Sequence, residues 1–99
     1  MSGNSREQSL EVVRNDERSR YEGRVGGELA TVIDYQRDGD VLAFTHTGTE
    51  PHWRGHGLAG ETTRQALADV RVRGLRVRPD CSFTAHYLST HPDVADLQA

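Results

Sequence analysis

The chain has 99 residues, 34% of them hydrophobic and 27% charged, with a formal net charge of -3 and a single cysteine. That length suits one small domain able to bury roughly 60 to 70% of its unfolded surface, a compact core rather than a generous one. Acidic and basic residues are interspersed, no basic patch is threaded with aromatics, and no apolar run nears the roughly 18 residues of a membrane span, so neither nucleic acid nor a bilayer is an expected partner.

The N-terminal MSGNSREQSLEVV has no basic region followed by an apolar one, so no secretory signal is expected. Cys81 cannot form an internal disulfide, and a free thiol fits a reducing cytosol, which makes a cytoplasmic location the expectation. Residues 1–8 are polar and small and read as a frayed end, leaving 9–99 as the folded domain.

Residues 9–14 (SLEVVR) form a short strand candidate, followed by a polar turn at Asn15 to Glu17. Arg18 to Val25 alternates as a second strand and closes on Gly26-Gly27. Glu28 to Arg37 is a third, in which Leu29, Thr31, Ile33 and Tyr35 are expected on one face with Ala30 and Val32 on the other. Asp38-Gly39-Asp40 joins it to Val41 to Thr47, the strongest hairpin signal in the chain. Simple alternation groups His46 with Leu42 and Phe44 on the apolar face of this fourth strand.

Leu58, Thr62, Ala66, Leu67 and Val70 recur at helical spacing, predicting a helix from about Leu58 to Arg73 that stops at Gly74. Leu75 to Arg78 reads as a short strand ended by Pro79. Cys81 to Thr90 reads as a second helix, with Asp80 as a candidate N-cap and Pro92 beyond its end. The expected architecture is α+β (an α/β sandwich): an antiparallel meander of about four strands, then one β-α-β crossover and a closing helix.

Between the fourth strand and the first helix lies HTGTEPHWRGHGLAGET, residues 46–62, whose core is Arg54-Gly55-His56-Gly57-Leu58-Ala59. The first-turn N–H groups of a helix lack intrahelical partners and carry the positive end of its dipole, so a glycine loop feeding such a turn suits a phosphate or pyrophosphate. The loop is neither a Walker loop nor a dinucleotide fingerprint. Taken alone, R-G-x-G is equally a flexible turn into a helix.

The wider pattern is more specific. Phe44-Thr45-His46-Thr47, then Arg54 to Ala59, Gly74-Leu75-Arg76-Val77, Pro79-Asp80-Cys81-Ser82-Phe83, Tyr87, His91-Pro92 and Leu97 follow one another in order. Over about Arg20 to Leu97 this resembles the GNAT N-acetyltransferase superfamily, in particular its minimal, single-domain YjdJ-type branch. The resemblance implies a core that binds acetyl-CoA, with no metal. Backbone amides of Arg54, Gly55, His56, Gly57, Leu58 and Ala59 would hold the pyrophosphate, and pantetheine would lie where the strand ending at Thr47 splays from Leu75 to Arg78. One position departs from the superfamily: His52 stands where Gln or Arg is usual, three residues before the first loop glycine.

For catalysis the resemblance points to Tyr87 as the acid for the departing CoA sulfur, and to Cys81 as an acetyl acceptor with His46 as its base. Each has a plainer reading: Tyr87 as a core aromatic one turn from Phe83, Cys81 as a small buried residue, His46 as a hydrogen-bonded core histidine. A thiol at a helix N-terminus favours the thiolate. His52 with His56, and His86 with His91, lack zinc spacing, so a metal is not expected. Arg71, Arg73, Arg76 and Arg78 read as a solvated face or as contacts to the 3′-phosphate of CoA. Trp53 reads as a packing or ligand-flanking residue.

The leading expectation is an acetyl-CoA-dependent N-acetyltransferase acting on an amine of a small molecule or a protein, as a monomer or weak dimer. The alternative is a CoA-binding module with little or no catalysis that works with a partner protein, because the chain omits the early helices that wall the acceptor site in larger relatives.

Overall fold

A computed structural model describes residues 9–99; the tail read at 1–8 lies outside the described residues. Strands β1 (Leu10–Asn15), β2 (Arg20–Val25), β3 (Glu28–Asp38) and β4 (Val41–Thr49) form an antiparallel meander. A 3-10 turn, Pro51–Trp53, leads to helix α1 (Leu58–Val72). Strand β5 (Arg76–Pro79) then pairs parallel to β4, giving the sheet order β1-β2-β3-β4-β5. Helix α2 (Ser82–Thr90) and a 3-10 turn, Pro92–Leu97, finish the chain. The α+β architecture and the order of its elements are as the sequence predicts.

One face of the sheet supplies Tyr21, Ile33, Tyr35, Leu42, Phe44 and Val77 to a single core. Helix α1 covers it with Ala66, Leu67 and Val70, the apolar stripe its spacing required, while Thr62 bonds the Thr31 hydroxyl underneath. Leu88 of α2 and Leu97 of the last turn close the same cluster. That final turn is not among the elements predicted from the sequence. It ties the C-terminus to the sheet edge, where the Ala99 N–H donates to the Val77 carbonyl at 2.8 Å.

Two irregularities overturn the strand faces expected from alternation. Between β3 and β4, Tyr35 lies opposite Phe44 but Asp34 lies opposite His46, so Thr45 is the extra residue of a bulge. A one-residue insertion exchanges the faces of everything beyond it. His46 is therefore exposed on the face opposite Phe44, not grouped with Leu42 and Phe44. Thr47, opposite Ile33, turns to the core side instead. A second register shift, at Gly23 and Arg24, pairs Arg24 with Leu29 and Gly23 with Thr31, which takes Leu29 off the face of Thr31, Ile33 and Tyr35 and leaves Ala30 fully buried.

Element ends shift modestly. Strand β2 starts at Arg20 because Arg18 and Ser19 belong to the preceding turn, in which the Arg18 N–H donates to the Asn15 side chain. Cys81, not Asp80, caps α2. The Asp80 carboxylate instead faces Arg78 at 3.1 Å. Among the described residues no helix is long and apolar enough to cross a membrane, and no three of His, Cys, Asp and Glu gather as a metal cluster.

Candidate active site

Strands β4 and β5 pair only from Val41–Arg76 to Phe44–Pro79. Pro79 has no N–H to extend the ladder and the chain leaves into α2, so beyond Phe44 β4 continues to Thr49 paired with β3 but no longer with β5. At this opening lies a cavity of about 620 Å³, bordered by His46, Thr47, Glu50, Arg54, Ala59 and Phe83 among others. Because His46 and Thr47 face opposite sides of the strand, the cavity reaches both faces of the sheet edge. The His46 ring leans along the strand over Gly48, where a Cβ would come within 3.1 Å of its Nε2.

The glycine loop borders this cavity. Gly55 has φ 83° and Gly57, the N-cap of α1, has φ 72°. Both are left-handed, a conformation that costs other L-residues roughly 1–2 kcal/mol. A Cβ at either position would meet nothing within 4 Å, so backbone conformation rather than crowding demands glycine there. The first helical bond is Glu61 N–H to the Gly57 carbonyl at 3.3 Å, which leaves the N–H groups of Leu58, Ala59 and Gly60 without partners inside the helix. Together these features set open amides at the positive end of a 15-residue helix, an arrangement that suits an anion.

His52 and His56 both pack edge-on against Trp53, with ring centroids 5.2 and 6.1 Å away. The Trp53 indole N–H donates to Glu28 at 3.2 Å, so this cluster staples the loop to the start of β3. Arg54 Nε donates to the Thr49 carbonyl at 3.4 Å, holding the loop's first residue against β4.

Cys81 is part-buried at the cap of α2, with its Sγ 3.6 Å from Thr47 Oγ1. Burial pushes the thiol up, but the Thr47 hydroxyl and the backbone N–H groups of Thr84, Phe83 and Thr47 outweigh it and hold the thiol below its ordinary value. Among the described residues no hydrogen bond joins Cys81 to His46; the bulge at Thr45 hands that contact to Thr47. Tyr87 is half-buried one turn beyond Phe83, and burial first, with Asp93 and Glu61 adding, pushes its phenol up. Neither Cys81 nor Tyr87 borders the cavity, whereas Phe83, 39% exposed, does.

Phe83 and Glu50 are among the cavity residues that the sequence does not assign to the site, with Val32, Gly48, Thr49 and Pro51. An aromatic one turn before Tyr87 was the available signal for the first; the second had none. The arginines resolve as a solvated face: Arg71 pairs with Asp96 at 2.8 Å, Arg73 with Asp69 at 2.9 Å and Arg78 with Asp80, while Arg76 donates to the Gln98 carbonyl. Arg71 and Arg73 also lie at the far end of α1 from the loop, about 20 Å away at 1.5 Å per residue.

A sequence model of the family described as GCN5-related N-acetyl-transferase matches residues 20–97. Among solved structures, the solution structure of a GCN5-like protein from Staphylococcus aureus superposes with a TM-score of 0.67 at 18% identity, covering 100% of this chain and 91% of that one. At that identity the likeness speaks for the fold. No curated protein matches the chain. Members of the matched family generally use acetyl-CoA and act on amines. With the match spanning nearly the whole described chain, the protein belongs to the GCN5-related N-acetyltransferase family.

Proposed function

We propose that this chain transfers acetyl from acetyl-CoA to an amine through an acetylated Cys81. The observation that carries the reading is the loop itself: two left-handed glycines and unpartnered first-turn amides beside a cavity where β4 splays from β5. The loop's open space and amide donors suit a pyrophosphate, and the cavity suits the pantetheine arm. Acetyl-CoA, when bound, supplies an acyl thioester.

The Cys81 thiol donates to Thr47 Oγ1; once the thiol ionises, the Thr47 hydroxyl turns to donate to the thiolate and orients it. The sulfur attacks the thioester carbonyl; a Cys81–acetyl bond forms and the bond to the CoA sulfur breaks. Tyr87 gives its proton to that departing sulfur. An amine nitrogen then attacks the acetyl-Cys81 carbonyl, Cys81 leaves as thiolate, and the surplus proton passes to His46, which faces the cavity from the other side of β4. Solvent returns a proton to Tyr87 and removes one from His46, so the net change is amine plus acetyl-CoA to acetamide plus CoA thiol. His46 thus serves the acceptor amine rather than Cys81, because Thr47 holds the contact to the sulfur.

The test is intact mass after incubation with acetyl-CoA, for the native chain and for Cys81→Ala. An adduct of one acetyl group that vanishes in Cys81→Ala is the expected result. An alternative reading, a CoA-binding module, rests on the exposed loop and the absence of Cys81 from the cavity lining. It gains if no adduct forms while CoA shifts only the amide resonances of residues 54–60. A chain that does not bind CoA sinks both.

A further inference from the structure

The chain has three tyrosines, and their hydroxyls differ in one respect. Tyr21 donates to Asp69 at 2.7 Å and Tyr35 donates to Asp16, so both protons are committed to carboxylates. Burial and those partners push Tyr35 up to about 12 and Tyr21 higher still. The Tyr87 hydroxyl has no hydrogen bond among the described residues, so its proton is uncommitted, and something other than the hydroxyl must hold its ring.

That restraint comes from His91, the residue that ends α2. Its imidazole lies parallel to the Tyr87 ring, centroids 3.7 Å apart and planes 5° from each other. Its Nδ1 is 2.8 Å from the Tyr87 carbonyl oxygen. A carbonyl only accepts, so Nδ1 carries the proton and donates. Thr90 Oγ1, 3.0 Å from the same nitrogen, also bonds the carbonyls of His86 and Tyr87. The imidazole is therefore pinned by its edge to the backbone of the residue whose ring its face covers. Pro92 explains why the chain folds back here. A residue before proline is driven out of the helical region, and His91, at φ -129° and ψ 85°, leaves the helix at the position that lays its ring over the one four residues earlier.

We propose that His91 is the positioning residue for Tyr87, a plate that fixes the phenol ring so that its free hydroxyl is presented to the departing thiolate. This rests on the reading of Tyr87 as the acid. A positioned proton donor contributes roughly 10²- to 10⁴-fold to rate, and loosening it forfeits part of that. His91→Ala should slow CoA release about tenfold, without changing the KM for acetyl-CoA. His91→Phe keeps the plate and should recover most of the rate. His91→Asn keeps a polar side chain near the carbonyl but has no plate, and should stay slow.

Two readouts separate positioning from folding. In the ligand-free protein, removing the stacked ring should move the Tyr87 ring-proton NMR resonances downfield while those of Tyr21 and Tyr35 stay in place. On a Tyr87→Phe background, His91→Ala should slow the reaction no further. A Tyr87→Phe enzyme at full rate overturns the acid reading and this role of His91 with it. A slowed Tyr87→Phe enzyme beside a full-rate His91→Ala enzyme, or an undiminished His91→Ala effect on the Tyr87→Phe background, overturns the positioning role alone.

Discussion

Thr47 and His46 are neighbours in sequence and belong to opposite sides of the sheet. Only Thr47 meets Cys81, at 3.6 Å, and its hydroxyl is among the groups that hold the thiol below its ordinary value. The thiolate is the reactive form, so alkylation of Cys81 rises with pH and levels off above the thiol pKa. Thr47→Val should move that profile to higher pH and slow alkylation near neutrality several-fold, on the order of a factor of 3–10 for a hydrogen bond of about 1 kcal/mol. Thr47→Ser should restore it. Iodoacetamide labelling of the ligand-free chain across pH is the measurement; a profile that shifts with His46→Ala and not with Thr47→Val contradicts the assignment. Cys81, Tyr87 and His46 were each visible as reactive residue types. Which of them touch was not, because contact between positions 35 apart depends on one extra residue in a strand.

The glycine loop was legible as an element. A strand, an R-G-x-G turn and an amphipathic helix with its stop at Gly74 can all be read locally, since each depends on residues within a few positions. Gly57→Ala should keep the fold but strain the cap by about 1–2 kcal/mol, which weakens CoA binding roughly five- to thirtyfold by titration calorimetry if the loop must hold this conformation to bind. An affinity unchanged by Gly57→Ala would mean the left-handed cap is irrelevant to the ligand. The strand faces were less legible. Alternation assumes an unbroken period of two, and the bulges at Thr45 and Ala30 break it. Nothing in Phe44-Thr45-His46-Thr47 announces an insertion; the partner strand creates it.

Across the whole molecule, two distant features carry stability. Glu22 is buried opposite the helices with Arg20, Arg24 and Asn15 around it. Burial opposes its charge, but these donors prevail and bring its pKa down from 4.5 to about 2. A depressed carboxylate contributes stability that is complete above its unfolded pKa and lost as pH falls through the folded one. Denaturant midpoints should therefore drop between about pH 4.5 and pH 2, and Glu22→Gln should flatten that slope while lowering stability at neutral pH. Leu97, buried in the last turn, closes the core beside Leu88 and Val77. Leu97→Ala should cost about 2–5 kcal/mol, read as a lowered Tm with CoA affinity preserved, since the loop lies elsewhere.

The order of elements, the helix stripe and the glycine loop followed from residue type and local spacing alone, because capping, turn and period rules act over a few residues. Burial of Leu97, the cavity at the splayed strands, the pairing of Cys81 with Thr47 and the stack of His91 on Tyr87 came from tertiary structure. The first three depend on where separate segments converge and on the register in which their backbones pair. The fourth joins residues only four apart, yet it needs a helix to end at one particular turn. Side-chain chemistry is written in the chain, whereas the neighbours that tune it are chosen by backbone pairing and packing over the whole sheet.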